Sequence, residues 1–199
     1  MDEETIRAYD AMSDLYDAET KDFWEQFPKY IFSDFKSMLR DSRVVDLGSG
    51  PGRDAEYLRN LGMDVTCIDG AESMIHVTER KGFRSILKDI RSEDLNLAEF
   101  DGVWAYSSFI HISDSEAKKV LNRVSDNMHS GTILFLGLIE GMGSEIVNFS
   151  GSDFVRMFQY YNEKSLGDIM ENTGFKLIKI ENFKPRNHNY LNCFFRLVK

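Results

Sequence analysis

The sequence lacks the features that mark membrane-spanning, disulfide-bonded or zinc-binding proteins. Its longest apolar run, 133–139, is far shorter than the roughly 18 residues of a membrane-spanning helix. Its two cysteines, Cys67 and Cys193, lie in apolar segments with no thiol or histidine at metal-ligand spacing, so we predict buried free thiols and no metal site. The acidic start, 1–4, has the wrong charge for a signal peptide. We therefore expect a soluble cytoplasmic protein without a membrane partner.

Basic residues are also scarce. The chain has 24 Lys and Arg against 33 Asp and Glu, a formal net charge of −9. Proteins that grip a phosphate backbone need clustered positive charge, so a nucleic-acid partner is disfavoured. A length of 199 residues with 42% hydrophobic residues is enough for one filled core and short for two, so we expect a single domain over 1–199, monomeric or homodimeric.

After residue 40, short β-rich segments alternate with amphipathic ones, which is typical of an α/β sheet with crossover helices. Strands are predicted at 43–47, 63–68, 85–87, 102–106 and 132–138. Between the last two, Ser113 and Glu116 have the spacing of a capping box and predict a helix start.

The two ends of the chain follow different patterns. Residues 2–40 look helical, with Pro28 as one helix start. A last helix is predicted from Asn162 to Gly174, because glycine suits a left-handed C-terminal turn. The runs 175–183 and 190–198 are strand-like, and their short connection at 184–188 permits only an antiparallel hairpin. The predicted fold is therefore α/β and doubly wound, with a mostly parallel seven-stranded sheet.

A glycine-rich turn follows the first predicted strand. Gly48, Gly50 and Gly52 come between the strand end at Asp46 and a helix from Arg53, which places backbone amides at the carboxyl edge of the sheet, where open α/β folds bind ligands. We expect glycine here because a side chain would block a ligand from the backbone. A purely structural tight turn is the alternative.

Acidic residues end the next two strands. Asp69 follows the second strand and can accept both hydroxyls of a ribose at the same crevice. Asp89 and Ile90 follow the third and suit the amino group and the face of an adenine. Taken singly, Asp69 and Asp89 are as well explained as helix caps or turn acids, but their order and spacing favour a nucleoside site.

Together these features resemble the class I S-adenosylmethionine-dependent methyltransferases, whose motif of an acid followed by Gly-x-Gly-x-Gly matches Asp46 and Gly48 to Gly52. The segments 157–162 and 190–194 resemble those of a bacterial branch of this family, to which small-molecule substrates are usually assigned. The opening 9–17 is similar to that branch's N-terminal cofactor lid, with Tyr16 over the site. The resemblance implies a Rossmann-like fold and S-adenosylmethionine as the cofactor.

The resemblance also implies a role for individual residues. The glycines and Arg53 would hold the methionine part of the cofactor, Asp69 the ribose, Met74 and Ile90 the adenine faces, and Asp89 the adenine amino group. The predicted cofactor site comprises Tyr16, Asp46, Gly48, Gly50, Gly52, Arg53, Asp69, Gly70, Met74, Asp89, Ile90 and Tyr106. A dinucleotide enzyme on the same fold is disfavoured, because its Gly-x-Gly-x-x-Gly fingerprint needs a glycine where Arg53 stands.

The methyl acceptor is expected near the fourth strand end, 104–111. His111 could take a proton there because its ordinary pKa lies near neutrality; a packed, neutral histidine is the alternative. The segment 140–161 is long, glycine-containing and aromatic, which is typical of a substrate loop. Within it, Arg156, Tyr160 and Tyr161 are predicted to recognise a polar or anionic acceptor, and the phenylalanines to pack over the sheet.

These expectations divide the chain into a lid at 1–40, a cofactor-binding core at 41–139, a substrate loop at 140–161, and the last helix and hairpin at 162–199. The leading hypothesis is an enzyme that methylates a small molecule at an O, N or C atom. The motifs of the resembled families that methylate bases, Asn/Asp-Pro-Pro-Tyr and Pro-Cys, are missing. A catalytically silent cofactor-binding module and a protein methyltransferase remain as alternatives.

Overall fold

The computed structural model describes residues 3–149, 151–185 and 188–199. Residue 2 of the predicted N-terminal helices, residue 150 of the predicted substrate loop, and residues 186 and 187 of the predicted hairpin connection lie outside this part of the chain. In these ranges, seven α-helices precede and connect the strands. They are α1 (Glu3–Ala11), α2 (Ser13–Gln26), α3 (Tyr30–Met38), α4 (Arg53–Asn60), α5 (Glu72–Arg80), α6 (Asp114–Asn127) and α7 (Glu163–Met170).

The strands form one large sheet and one small one. They are β1 (Arg43–Leu47), β2 (Asp64–Asp69), β3 (Arg84–Leu87), β4 (Gly102–Tyr106), β5 (Ile133–Ile139), β6 (Ser144–Asn148), β7 (Val155–Gln159), β8 (Phe175–Phe183) and β9 (Tyr190–Leu197). The large sheet has the order β3-β2-β1-β4-β5-β9-β8. Strands β1 to β5 run parallel, and β9 lies antiparallel between β5 and β8. The predicted mostly parallel seven-stranded sheet with an antiparallel hairpin is therefore confirmed.

The strand order reverses beside β1, because the chain builds β2 and β3 on one side and then returns to place β4 on the other. Within β1, Asp46 is paired with Cys67 of β2 and with Trp104 of β4. Ligands of open α/β sheets bind at the carboxyl ends of the strands at such a reversal. The loop after β1 and a short 3-10 helix after β4, Phe109–His111, meet there.

Both faces of the large sheet are buried, so its central strands are apolar at almost every position. In β4, Val103 and Ala105 join one apolar core, and Trp104 joins the core on the opposite face, as the two-residue period of a strand requires. Helices α6 and α7 supply the first core, and α3 and α4 the second. The predicted capping box is present at the start of α6, where Ser113 and Glu116 exchange hydrogen bonds. Cys67 and Cys193 are buried and free, as expected.

Two predictions of local structure were wrong. The segment 140–161 contains the antiparallel hairpin β6–β7 rather than a loop. Gly141 and Gly143 favoured the interpretation as a loop. The adjacent β-branched residues Ile146 and Val147, however, are typical of a strand. Helix α7 ends at Met170, because the backbone turns left-handed at Asn172 (φ 65°) before Gly174 (φ 80°) begins the approach to β8.

In the described ranges, none of the helices combines the length and the apolar character that crossing a membrane would require.

Candidate active site

The glycine-rich loop after β1 holds its shape through the neighbouring strand and through positive φ angles. The amides of Gly48 and Ser49 donate to the carbonyl of Ile68 at 2.8 and 3.1 Å, and φ is 80° at Gly48, 51° at Gly50 and 76° at Gly52. These angles lie in the left-handed region that favours glycine. The loop therefore exposes its own backbone at the edge of the sheet instead of continuing the strand.

The three glycines are required for different reasons. A Cβ on Gly48 would lie 2.3 Å from Cβ of Ser108, and one on Gly52 would lie 2.8 Å from Thr78. A Cβ on Gly50 would meet only the Tyr16 ring, at 3.8 Å. Gly48 and Gly52 thus allow close packing within the protein, and only Gly50 fits the expectation that glycine leaves room for a ligand.

Asp69 closes this loop from the end of β2. Its Oδ2 accepts a hydrogen bond from the amide of Gly50 at 2.8 Å, and its Oδ1 accepts one from Ala71 at 2.9 Å. Burial raises the pKa of Asp69, and the donating backbone amides oppose that rise. A carboxylate oxygen accepts more than one hydrogen bond, so Asp69 retains capacity for the hydroxyls of a ligand while it orders the loop.

Two further carboxyl groups lie beside the loop. Asp46 and Asp54 are both buried, and burial together with the proximity of Asp54 and Asp69 raises the pKa of Asp46 well above its ordinary value. Oδ2 of Asp46 and Oδ1 of Asp54 have no hydrogen-bond partner within the described chain. Two desolvated acids with open oxygens form a site for a cationic group, because a positive charge would relieve both. Asp54 was not predicted from the sequence.

A cleft of about 430 Å³ adjoins these groups on the carboxyl edge of the sheet. Its lining joins the loop after β1, the ends of β2 and β4, and helices α1 and α2. The lining residues are Ile6, Tyr9, Tyr16, Gly48, Gly50, Asp69, Ala71, Met74, Tyr106, Ser107, Ser108 and His111. A smaller extension beside it, bordered by Asp46, Asp54 and Arg53, completes what we call the donor cleft.

Helices α1 and α2 cover the donor cleft, which supports the predicted lid. Tyr16 borders it, and the Tyr9 ring meets the Tyr16 ring edge-on with centroids 5.2 Å apart. Arg53 donates a hydrogen bond to Oγ1 of Thr20 and so ties the start of α4 to α2. The carboxylate of Asp10 accepts from the amide of Ser73 at 2.7 Å and ties α1 to α5. The lid is thus anchored on both sides of the cleft.

A second, larger cleft of about 810 Å³ lies beside the first, and we call it the aromatic cleft. Among the described residues, seven Phe, Tyr and Trp rings border it, with Tyr106 and Tyr190 nearly parallel at 6.0 Å. They are Tyr9, Tyr16, Phe23, Trp24, Tyr106, Phe158 and Tyr190. Polar side chains in the wall include those of Glu19, Thr20, Ser107, Arg156 and His188. Tyr9, Tyr16, Tyr106 and Ser107 border both clefts, so the two clefts are adjacent.

His111 is 3% exposed and lies behind the lid. Its Nδ1 is 2.7 Å from the carbonyl oxygen of Met157, and its Nε2 is 2.8 Å from the hydroxyl of Tyr9. The side chain borders the donor cleft, but the Tyr9 hydroxyl covers its Nε2. That His111 takes a proton from the acceptor stays a prediction, and the structure adds Tyr9 of the predicted lid as the residue beside its Nε2.

The predicted acceptor-binding residues are separated by the fold. Arg156 borders the aromatic cleft with its guanidinium 3.6 Å above the Phe149 ring, and its buried Nε has no hydrogen-bond partner in the described ranges. Tyr160 donates its hydroxyl to Glu145 across the β6–β7 hairpin. Tyr161 is fully buried, and its hydroxyl donates to the carbonyl of Phe109 at 3.0 Å. Only Arg156 of the three presents a polar group to the cleft.

The phenylalanines of the 140–161 segment also differ from one another. Phe149 is buried as expected, whereas Phe154 is 41% exposed and Phe158 borders the aromatic cleft. Of the three, only Phe158 belongs to β7, whereas Phe149 and Phe154 lie in the connection between β6 and β7.

The residues that were predicted to contact an adenine also lie in different surroundings. Met74 is buried and borders the donor cleft. Asp89 forms an ion pair with Arg91 at 2.8 Å, and Arg91 also bonds Glu116 at 3.0 Å. Ile90 is fully buried in the core. A Cβ on Gly70 would lie 3.2 Å from Ile6, so this glycine lets α1 approach the end of β2.

Comparison with known proteins agrees with this architecture. Residues 44–131 match a family model described as a methyltransferase domain. No curated protein matches the chain. Among solved structures, the CcbJ methyltransferase from Streptomyces caelestis superposes with a TM-score of 0.75 at 15% identity, covering 99% of this chain and 100% of that one.

Two further structures share the fold. The 1,6-didemethyltoxoflavin-N1-methyltransferase of Burkholderia thailandensis, solved with 1,6-didemethyltoxoflavin and S-adenosylhomocysteine, gives a TM-score of 0.68 at 19% identity and covers 98% of this chain and 88% of that one. Magnesium protoporphyrin IX methyltransferase from Synechocystis PCC 6803, solved with S-adenosylmethionine, gives 0.72 at 16% identity and covers 98% of each chain. The likeness is one of fold, and it extends over nearly the whole chain, including the lid and the hairpin.

Proposed function

We propose that this chain, a class I methyltransferase by its fold and by the methyltransferase-domain model it matches, transfers a methyl group from S-adenosylmethionine to a small molecule. The observation that carries the proposal is the junction of the donor cleft and the aromatic cleft at Tyr9, Tyr16, Tyr106 and Ser107. Methyl transfer needs donor and acceptor in line and in contact, and two adjacent clefts that share these lining residues favour that arrangement.

The donor cleft suits S-adenosylmethionine on three counts. Asp69 lies where a ribose diol can donate to it, and the Gly50 side of the loop is open. Asp46 and Asp54 offer unpartnered buried oxygens to the ammonium group of the methionine part. When bound, the cofactor supplies an electrophilic methyl group on a positively charged sulfur. The raised pKa values of both acids would fall beside such a cation, since opposite charge favours the ionised form.

The protein's own contribution is orientation and exclusion of water. The lid tyrosines, Tyr9 and Tyr16, close the junction from one side, and Tyr106 closes it from the sheet. The Tyr106 hydroxyl is buried without a partner in the described chain, so it is available to a bound molecule. Gly137 makes room for this ring, because a Cβ there would lie 2.2 Å from it.

A small acceptor fits the aromatic cleft better than a protein segment does. Helices α1 and α2, which are anchored to α5 and α4, contribute Tyr9, Tyr16 and Trp24 to its wall and so limit the size of the molecule it can take. Arg156 supplies a positive charge for an anionic or polar group of the acceptor. The Burkholderia neighbour is named for a small heterocyclic acceptor and the Synechocystis neighbour for a porphyrin, which is consistent with this class. The presence of the aromatic cleft favours an enzyme over a silent cofactor-binding module.

Calorimetric titration tests donor binding. S-adenosylmethionine and S-adenosylhomocysteine should bind, and NAD should not. Replacing Asp69 by Asn removes a charged acceptor and should weaken binding about 10- to 100-fold, because a hydrogen bond to a charged group contributes about 1.5–3 kcal/mol. Asp64→Asn, at the exposed start of the same strand, is the matched control. The absence of heat with both adenosyl compounds would overturn the proposal.

Methyl transfer is then tested with isotope-labelled donor. A panel of small phenols, amines, heterocycles and carboxylic acids is incubated with the enzyme, alongside basic proteins and nucleic acid. Label in a small compound supports the proposal. Label in the basic proteins alone would instead favour a protein methyltransferase, and donor binding with no labelled product would favour the silent module.

A further inference from the structure

We propose that Tyr9 removes the proton from the methyl acceptor and passes its own proton to His111, so that the two residues form a proton relay at the junction of the clefts. This inference rests on the function proposed above and specifies how its acceptor is activated.

The tautomer of His111 follows from its two hydrogen bonds. The carbonyl oxygen of Met157, 2.7 Å from Nδ1, can only accept, so Nδ1 carries the proton. In the neutral ring, Nε2 then has a lone pair, and the Tyr9 hydroxyl at 2.8 Å donates to it. The backbone of β7 thus fixes His111 in the form that can receive a proton from Tyr9.

Of the two residues, Tyr9 is the one that a bound acceptor would contact, because of its position. Tyr9 borders both clefts, whereas His111 borders the donor cleft and lies behind the Tyr9 hydroxyl. An acceptor in the aromatic cleft that approaches the shared wall meets the phenol oxygen first. That oxygen lies 2.8 Å from Nε2 of His111 and so connects the acceptor to the histidine.

Charged and titratable groups face Tyr9 from each neighbouring element. Arg156 of β7 donates from Nη1 to the Tyr9 oxygen at 3.5 Å. The Tyr16 ring lies edge-on from α2, and Asp69 is the nearby acid at the end of β2. Burial raises the pKa of Tyr9, and Arg156 opposes that rise. The guanidinium therefore stabilises negative charge on the phenol oxygen while the proton moves to His111.

The acceptor's O–H or ring N–H bond breaks, and its proton goes to the Tyr9 oxygen as the Tyr9 proton goes to Nε2 of His111. The freed electron pair of the acceptor forms the bond to the methyl carbon, for which bound S-adenosylmethionine would supply the leaving group and keep the electron pair of the broken carbon–sulfur bond on sulfur. His111 is left protonated, and after the product leaves, its proton returns through the Tyr9 oxygen to water that enters the emptied cleft.

This chemistry and the shape of the cleft together define an acceptor class. The aromatic cleft is walled by flat rings, among them Trp24, Tyr106 and Tyr190, which stack on planar molecules. A planar acceptor with an acidic hydroxyl or ring N–H satisfies both the wall and the relay. We therefore infer a phenol-like or N-heterocyclic acceptor.

The relay is tested with Tyr9→Phe, which keeps the ring and removes the hydroxyl, and with Tyr57→Phe as the matched control on the exposed side of α4. Both variants should bind S-adenosylhomocysteine within about twofold of wild type. With a phenol or N-heterocycle that the wild type methylates, Tyr9→Phe should lower kcat about 10²- to 10⁴-fold and abolish the loss of rate at acidic pH that protonation of His111 causes. Full activity of Tyr9→Phe, or activity confined to acceptors without a dissociable proton, would overturn the relay.

A second measurement does not depend on finding the acceptor. Nitrogen NMR of histidine-labelled protein bound to S-adenosylhomocysteine should show His111 neutral with its proton on Nδ1 at pH 7.5, and the Nε2 shift should change in Tyr9→Phe; the resonance is assigned with His111→Asn. A proton on Nε2, or a doubly protonated ring at that pH, would overturn the relay. If the wild type binds no S-adenosylhomocysteine, the proposed function itself fails.

Discussion

The indole Nε1 of Trp104, in the middle of β4, donates a hydrogen bond to Oδ2 of Asp54 in the first turn of α4 at 2.6 Å. Trp104 is fully buried and stacks on Phe135 with ring centroids 3.9 Å apart. This contact joins the centre of the sheet to the helix that follows the glycine-rich loop. The position of an acid beside the donor cleft thus depends on a ring in the core.

Replacing Trp104 by Phe should destabilise the protein by about 2–4 kcal/mol, because it opens a cavity and removes the donor from a buried carboxyl group. Urea unfolding followed by circular dichroism measures the loss. Trp24→Phe, in the partly buried wall of the aromatic cleft, should cost clearly less. Equal losses for the two variants would contradict a structural role for the Trp104–Asp54 bond.

The free protein should lose stability as the pH rises from about 4 to about 7. Burial raises the pKa of Asp54 from 3.8 to about 7, so above pH 4 the unfolded chain releases a proton that the folded protein retains. The contribution of Asp54 to the free energy of unfolding is fully present below pH 4 and is lost as the pH reaches about 7. It amounts to about 1.4 kcal/mol for each unit of difference between the folded and unfolded pKa. Asp54→Asn should reduce the slope of unfolding free energy against pH, and Asp64→Asn should not. An unchanged slope in Asp54→Asn would show that this carboxyl group does not titrate as described.

Gly48→Ala should be more damaging than Gly82→Ala. Both glycines have φ near 80°, so each alanine costs about 1–2 kcal/mol of backbone strain. At Gly48 the added methyl group also meets Ser108, whereas a Cβ on Gly82 meets nothing within 4 Å. Thermal unfolding measures the difference, and adding Ser108→Gly to Gly48→Ala should recover part of it. Similar melting temperatures for the two alanine variants would contradict the close contact between Gly48 and Ser108.

Arg156→Gln should weaken binding of the methyl acceptor and leave binding of the methyl donor unchanged. Loss of the guanidinium from the aromatic cleft should raise KM for anionic acceptors about 10- to 100-fold, the cost of one charged hydrogen bond. The affinity for S-adenosylhomocysteine, measured by calorimetry, should stay unchanged. Arg80→Gln, at the exposed end of α5, is the control. An equal rise in KM for neutral and anionic acceptors would contradict recognition of a negative charge by Arg156.

Several residues that border the donor cleft were predicted from the sequence, because their placement depends on short-range chemistry. Gly48, Gly50 and Asp69 occupy fixed positions after two consecutive strands, and the parallel sheet brings those strand ends together. Tyr16 was found only through a family resemblance, since a helical tyrosine has no local signal for a ligand. Asp54 was missed because an acid in the first turn of a helix is ordinarily explained by the helix dipole.

The acceptor side was less predictable because it is assembled from distant segments. Tyr9 and His111 are 102 residues apart, and their hydrogen bond exists only because α1 packs over the carboxyl end of β4. Asp89 forms an ion pair with Arg91, two residues away, and its contact with an adenine stays a prediction.

The sequence by itself determined the order of the elements, the parallel sheet, the terminal hairpin and the glycine-rich turn, because hydrophobic period, turn residues and chain connectivity act locally. Only the tertiary structure decided that 140–161 forms a hairpin, that Gly48 and Gly52 serve packing, and that Tyr9 stands before His111. Those outcomes depend on which side chains occupy the same space after folding, and sequence spacing does not specify that.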